Sequence, residues 1–519
     1  MSERSSVFHS AKVISLSTLL SRVLGLVRDV VSAEAFGVTG PMGAFAFAWQ
    51  IPNLFRRLFG EGALNSAFVP IFTEYLHAHD RREAVRLFQV VGTALLMLLS
   101  ALVLAGELIG VSLLSWVPLS ENNLLIVILS IILIPYLLLI CYAAFLSGAQ
   151  NSLEHFLEPA LMPAVLNVVW IVAIFFATRV VGGSLEHEIT VMAGGILVGG
   201  AFQVGLQLPR LYREGFRVRF LLDFAHPGLR KIAVQMFPLV LGLSVFQINT
   251  LMDNIVGKWF VGDAAPAILY WANRLFQFPL ALLAIPIAVA IFPRFSRLAI
   301  SKDRKGLEEE LLRATRMALY LTLPATVGLI IIRIPLVRLI YERGRFTPED
   351  TPVVALVTLG YTLGLAGLSI MHITTRLLYA LGDRLSPMKI AFGMTGLNFL
   401  LNILLVQVLA VPGLALATSI CGTLQAVLLI KVVEKRLGGI EYFPLLWPLL
   451  KQAVAVSAMG VATYFCARSF GQGTTAIEKV ASVFVPVGAG AVTYFGLSWA
   501  LRMEEWKEMV RRRSKSKQA

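Results

Sequence analysis

Between Ser21 and Phe72 the chain is apolar enough to cross a bilayer, yet it carries Arg22, Arg28, Asp29, Glu34, Arg56, Arg57 and Glu61. Each charge at the bilayer centre costs about 2.5–3.5 kcal/mol on the lowest of the contested scales, so several facing lipid would cost on the order of 10 kcal/mol. These helices must face water or protein. At about 100° per residue, Thr18, Ser21, Arg22, Gly25, Arg28, Asp29 and Ser32 share one sector about 120° wide, and leucines and valines fill the rest. A long apolar helix with one small, cationic stripe lines a cavity inside a helix bundle. The competing reading has the arginines snorkelling to the membrane surface or pairing locally, as Arg57 would with Glu61 at i,i+4, and for Arg57 that reading is preferred. Farther along, Tyr270, Arg274 and Gln277 share a helix face at i, i+4 and i+7, and Arg274 is the only full charge there.

Covalent chemistry finds no support. The chain has no phosphate-binding GxxxxGK[ST] loop and no nucleophile elbow, so it is read as a non-enzyme. Its seven histidines show no metal spacing, and Cys141, Cys421 and Cys466 all lie in apolar runs as packing residues.

The elements that position the arginines follow from composition. A chain of 519 residues, 57% hydrophobic and 15% charged, with mean hydropathy +0.76, is a polytopic membrane protein. The first apolar stretch is too long and too charged for a signal peptide and is expected to be retained. The formal charge of +14 is spread over short loops between apolar segments, which points to membrane orientation and away from nucleic acid. Roughly fourteen spans are expected, at 10–36, 44–70, 86–117, 122–148, 159–179, 190–208, 232–260, 266–293, 313–340, 352–381, 386–410, 412–434, 445–467 and 477–501. Lys and Arg concentrate in the even-numbered connections and in the tail, which places both termini in the cytoplasm. The connection carrying Arg338, Arg343 and Arg345 is the exception. Residues 302–312 read as a charged, solvated cytoplasmic helix, and Gly194, Gly195, Gly199 and Gly200 as sites of close helix packing.

Shifting the chain on itself by about 223 residues brings Asp29 to Asp253, Phe36 to Phe260, and Phe68-Val69-Pro70 to Ile291-Phe292-Pro293. A looser match pairs the segments ending at Asn167 and Asn398. The expected fold is therefore all-α, with two parallel six-helix repeats (1–222 and 223–440) followed by two extra transmembrane helices and a basic tail (441–519). Parallel repeats place a substrate site between the halves.

At SRVLGLVRD (Ser21 to Asp29) and PNLFRRLFGEGALNSAFVPIF (Pro52 to Phe72), with WANRLFQFP and YALGDRLSP later, the chain closely resembles the MurJ (MviN) family of bacterial lipid II flippases. That family sits in the superfamily that also contains the MATE exporters and polysaccharide flippases. The resemblance implies a multi-pass protein of the bacterial cytoplasmic (inner) membrane. It implies that the chain flips lipid II, the undecaprenyl-pyrophosphate-linked peptidoglycan precursor, to the outer leaflet by alternating access for cell-wall synthesis. Implied partners are lipid II, membrane lipids and the cell-wall synthesis machinery. The family's cavity arginines match Arg22, Arg28, Arg56 and Arg274, and Asp29, Asn53, Arg57 and Gln277 complete the candidate substrate set. Two positions depart from the family pattern. Gly43 stands where an Asp is common, and Gln277 where an acid occurs.

Residue chemistry agrees with that substrate, because pyrophosphate is best held by planar, permanently charged donors that grip two oxygens at once. No cofactor is expected. Without a nucleotide-binding loop, transport draws on a sodium gradient, a proton gradient or the membrane potential, and Asp253 and Asp383 are the candidate cation-site acids. The competing functions are a MATE-like multidrug antiporter, which the cationic stripe argues against, a flippase for another undecaprenyl-pyrophosphate-linked glycan, and a non-transporting scaffold for cell-wall enzymes.

Overall fold

The computed structural model describes residues 3–58, 64–78, 80–470 and 475–516. In chain order the helices are α1 (Glu3–Phe36), α2 (Gly40–Phe55), α3 (Leu64–Ala78), α4 (Arg81–Trp116), α5 (Glu121–Ser152), α6 (Leu157–Phe175), α7 (Leu185–Arg213) and α8 (Pro227–Phe260). There follow α9 (Ala265–Pro279), α10 (Ile285–Ile300), α11 (Arg304–Ile340), α12 (Asp350–Thr362), α13 (Leu365–Ala380) and α14 (Leu385–Leu409). The last four are α15 (Val411–Leu437), α16 (Phe443–Ser469), α17 (Ala476–Ala500) and α18 (Glu504–Ser516).

Among the described residues, eleven stretches are long and apolar enough to cross a membrane, and the protein is all-α and polytopic. Three of them are composite. α6 runs on through a π-type turn at Phe176–Val181, a second π-type turn at Leu280–Ala284 joins α9 to α10, and α12 abuts α13. Pro286 explains the second turn, since it has no N–H to give to the carbonyl one helical turn back, at Leu282.

Two sequence expectations change. The single span expected at 44–70 is two helices, α2 ending at Phe55 and α3 starting at Leu64, with a π-type turn at 56–58. Glu61 lies outside the described residues, so its pairing with Arg57 does too. Residues 302–312 are not a separate solvated helix but the start of α11, where Asp303 caps the helix by accepting from the Gly306 N–H at 2.9 Å. Leu307 and Leu311 are buried there against Phe295, Leu377, Leu378 and Val433. The charges of this segment mask an i, i+4 apolar pair that packs inward.

The chain forms two compact units, Met1–Leu251 with Arg343–Phe346, and Met252–Glu342 with Thr347–Ala519. In the first, stacked and edge-on rings of Phe68, Phe72, Phe88, Phe145 and Phe216 fill the space between α3, α4 and α5. Three of the four glycines singled out on α7 are needed for close approach. A Cβ would lie 2.3 Å from the Ala173 Cβ at Gly195, 2.9 Å from Leu166 at Gly199 and 2.9 Å from Tyr136 at Gly200, whereas Gly194 faces open space. Polar side chains join the same helices: Ser147 donates to Gln207 at 2.8 Å, and Gln150 donates to the Gln207 carbonyl at 2.8 Å. In a lipid environment such interhelical hydrogen bonds are each worth roughly 0.6–2 kcal/mol.

In the second unit α11 packs against α13, α16 and α17. The short terminal helix α18 folds back onto it. Arg313 meets Glu508 through two parallel bonds of 2.9 Å, Arg316 meets Glu504 at 2.6 Å and Glu505 at 2.8 Å, and Met503 is buried. Replacing Arg313 and Arg316 together with alanine should undock α18. The exposed Glu504 pair is worth only about 0.2–1 kcal/mol, but Glu505 is 3% exposed, and stranding its carboxylate costs on the order of 1–3 kcal/mol. Faster amide exchange across 504–510, with α17 unchanged, is the expected readout; unchanged exchange would show that Met503 and Trp506 alone hold the helix.

Candidate functional site

α1 behaves as its stripe predicts over its second half. Arg28, Asp29 and Ser32 are buried, while Leu16, Leu19, Leu20, Val23, Leu26 and Val27 on the other faces are exposed. Arg22, a turn and a half earlier, is exposed. The buried turn packs on α6. The Arg28 guanidinium donates from Nε (3.1 Å) and Nη2 (2.6 Å) to Asp29 Oδ1 and from Nη1 (3.0 Å) to Asn167 Oδ1. Its Cζ lies over the Trp170 ring, 4.7 Å from the ring centre, and Asn167 donates onward to the Ser21 carbonyl at 3.1 Å. Asp29 balances the charge and Asn167 fixes its direction, which are the two conditions for keeping an arginine inside a bundle.

Trp170 continues into an aromatic cluster with Phe45 and Trp49 of α2, and Trp49 reaches Tyr136 of α5. Tyr136 lies within electrostatic reach of both Arg28 and Arg56. The structure thus brings these two arginines to one region of the first unit. Arg56 is half-buried at the end of α2, where its Nε and Nη2 donate to Asn53 Oδ1 at 3.2 and 3.0 Å. Arg57 beside it is also half-buried.

In the second unit, Arg274 of α9 donates to the Tyr270 hydroxyl at 3.1 Å and lies 4.9 Å from that ring. Gln277 donates to Asn273 one turn back. Of the three residues expected to share a face, Tyr270 and Arg274 are in contact, and Gln277 pairs with Asn273. Arg56 and Arg274 share a device: each is oriented by a neutral side chain one turn earlier on its own helix.

The two candidate cation-site acids do not meet. Asp253 of α8 is 4% exposed and accepts from Asn402 Nδ2 at 2.6 Å and Thr418 Oγ1 at 3.2 Å, while Asn402 also donates to Asn398 at 2.9 Å. Asp383 sits in the turn before α14. It accepts from the Ser386 N–H and hydroxyl and pairs with Arg436 at 2.6 Å. Burial pushes the Asp383 carboxyl up, but the Ser386 hydrogen bonds and the Arg436 guanidinium outweigh it and hold the group below the usual carboxylate range. Among the described residues no group of three or more His, Cys, Asp or Glu converges as a metal centre.

Sequence reading left Asn167, Trp170, Asn402 and Thr418 out of the site, although each touches a residue it had chosen. A signal for the asparagines existed, since Asn167 and Asn398 are the paired ends of the internal repeat.

Long apolar helices that bury an arginine–aspartate pair in one unit and a hydrogen-bonded aspartate in the other define a polytopic membrane protein with ionisable groups held inside its bundles. Its fold is similar to that of a multidrug resistance MATE family transporter of the MOP superfamily in an inward-facing conformation, with a TM-score of 0.62 at 15% identity over 82% of this chain and 98% of that one. Within that class, the profile of the family described as Lipid II flippase MurJ matches residues 32–484, and the chain belongs to the MurJ family. It is 32% identical over 464 residues to the probable lipid II flippase MurJ of Vibrio cholerae, covering 87% of each chain. It is 29% identical over 518 residues to the lipid II flippase MurJ of Burkholderia cenocepacia, covering 95% of this chain and 97% of that one. A solved structure of lipid II flippase MurJ in an inward closed conformation matches at a TM-score of 0.77 and 25% identity, over 94% of this chain and 99% of that one.

Proposed function

We infer that this protein flips lipid II across the bacterial inner membrane for peptidoglycan synthesis, as a transporter and not an enzyme. The family match over residues 32–484 carries the inference. The arginine chemistry supports it, because the substrate's pyrophosphate is an anion. Arg56 and Arg274, with Arg22, hold the pyrophosphate, assisted by Asn53, Arg57 and Gln277. Arg28 with Asp29 positions α1 against α6. The deciding experiment reconstitutes the purified protein into vesicles carrying lipid II in one leaflet and measures its exposure on the other. Transfer that depends on the protein is expected; absence of transfer, or transfer of organic cations instead, would overturn the reading.

The further architecture we propose has fourteen spans: the eleven, together with α1, the α2–α3 pair and α8. They form two parallel repeats, 1–222 and 223–440, with 441–519 appended and both termini cytoplasmic. Residue pairing supports the repeat. In each half the first and fifth expected spans are joined by a polar contact, Arg28 with Asn167 in one and Asp253 with Asn402 in the other.

Transport is coupled to a cation gradient at Asp253. A single carboxylate, held by the Asn402 amide N–H and the Thr418 hydroxyl, offers one negative charge and suits a monovalent cation or a proton better than a divalent metal, which demands more negative ligands. Asp253→Asn keeps the shape and removes the charge. It should abolish any dependence of lipid II transfer on sodium, pH or voltage and lower the rate by about tenfold or more. Unchanged ion dependence in this variant would remove Asp253 from the coupling.

A further inference from the structure

Four residues of the α11–α12 connection, Arg343–Phe346, belong to the first compact unit, although the chain on either side, through Glu342 and from Thr347, belongs to the second. Their contacts lie at the C-terminus of α1. A helix leaves its last four carbonyls without intrahelical partners. Here all four are met: Ala33 O accepts from Gly37 N at 2.8 Å, Glu34 O from Arg345 N at 2.9 Å, Ala35 O from Arg345 Nη1 at 2.9 Å and Phe36 O from Thr39 Oγ1 at 2.8 Å. Arg345 supplies two of the four, and its positive charge suits the negative end of the helix dipole.

The same Nη1 reaches Glu188 Oε2 at 2.5 Å in the first turn of α7, a carboxylate only 5% exposed. One guanidinium therefore ties α1 to α7. The backbone admits no side chain at either contact. Gly37 and Gly344 both have φ of +56°, and a Cβ would lie 2.1 Å from the Arg345 carbonyl at Gly37 and 2.4 Å from the Glu34 carbonyl at Gly344. Phe346 is buried beside them. This engagement accounts for the connection that broke the charge pattern: Arg345 is tied to Glu188, and Arg338 to Glu342 at 3.2 Å.

We propose that Arg343–Phe346 is a releasable clasp of the transport cycle, closed on the α1 C-terminus and Glu188 in this conformation and opened when the transporter changes state. The proposal rests on the alternating-access flippase reading. An ordinary surface loop has no need of a side chain that completes another helix's cap, a buried carboxylate to receive it and two left-handed glycines to bring the backbones together. A polar clasp also suits a contact that must break and reform, since charge-assisted hydrogen bonds are directional and water replaces them on opening.

The test is amide exchange in vesicles. The Arg345 N–H donates to the Glu34 carbonyl at 2.9 Å, so opening the clasp exposes it. Supplying lipid II to the parent protein should speed exchange across residues 343–346 by about tenfold or more, and Arg345→Ala and Glu188→Gln should each speed it without lipid II. Exchange across that segment that lipid II leaves unchanged overturns the clasp, and so does unchanged exchange in both variants. A parent protein that transfers no lipid II in the same vesicles would instead count against the flippase reading.

Discussion

Arg28→Ala should cost the first unit about 3–5 kcal/mol, the usual penalty for removing one partner of a buried ion pair. The loss is concentrated because the side chain serves three neighbours at once. Without it the Asp29 carboxylate, 8% exposed, loses its ion-pair partner, the Asn167 side chain loses its acceptor role, and Trp170 loses the cation over its face. Arg28→Lys should fall between wild type and alanine, since an ammonium restores the charge but reaches only one of the two acceptors well and cannot lie flat against the indole. Amide exchange in α1 and α6, thermal unfolding in detergent and abundance in the membrane measure the effect. Normal stability together with lost lipid II transfer would instead place Arg28 on the substrate.

Most of the fold was legible in the sequence because span length and apolarity are local properties. The stretches expected at 122–148 and 412–434 are the cores of α5 (Glu121–Ser152) and α15 (Val411–Leu437). Misreadings occurred where a local rule met a long-range partner. The 302–312 segment carries enough charge to look solvated, and only the helices packed around Leu307 and Leu311 reveal its buried face. The candidate site divides in the same way. Arg28 and Asp253 could be chosen because an ionised group in an apolar run is costly wherever it lies. Their partners lie too far along the chain to be marked locally, Asn167 139 residues from Arg28 and Asn402 149 residues from Asp253, and only the internal repeat pointed to Asn167. An asparagine in an apolar helix carries no local mark separating a ligand from an interhelical hydrogen bond. Asp383 shows the converse: its charge drew attention, yet it is engaged by Ser386 and Arg436 in the turn before α14.

The second large effect is expected at Arg56 and Arg274, where lysine should rescue almost nothing. Each guanidinium is aimed by a neutral side chain one turn back, Asn53 for the first and Tyr270 for the second, which fixes the direction of its fork. A pyrophosphate gripped by such a fork accepts two parallel charge-assisted bonds, and an ammonium offers one contact at a different distance from the helix. Losing one bond of this kind is worth about 1.5–3 kcal/mol, or roughly tenfold to a hundredfold in binding. Arg56→Lys and Arg274→Lys should therefore bind lipid II and transfer it nearly as poorly as the alanine variants, while remaining in the membrane at normal abundance. That last condition separates them from Arg28, whose loss is expected to appear first as instability. Substantial rescue by lysine would reduce both residues to sources of positive potential, and normal transfer by Arg56→Ala and Arg274→Ala would remove them from the substrate site.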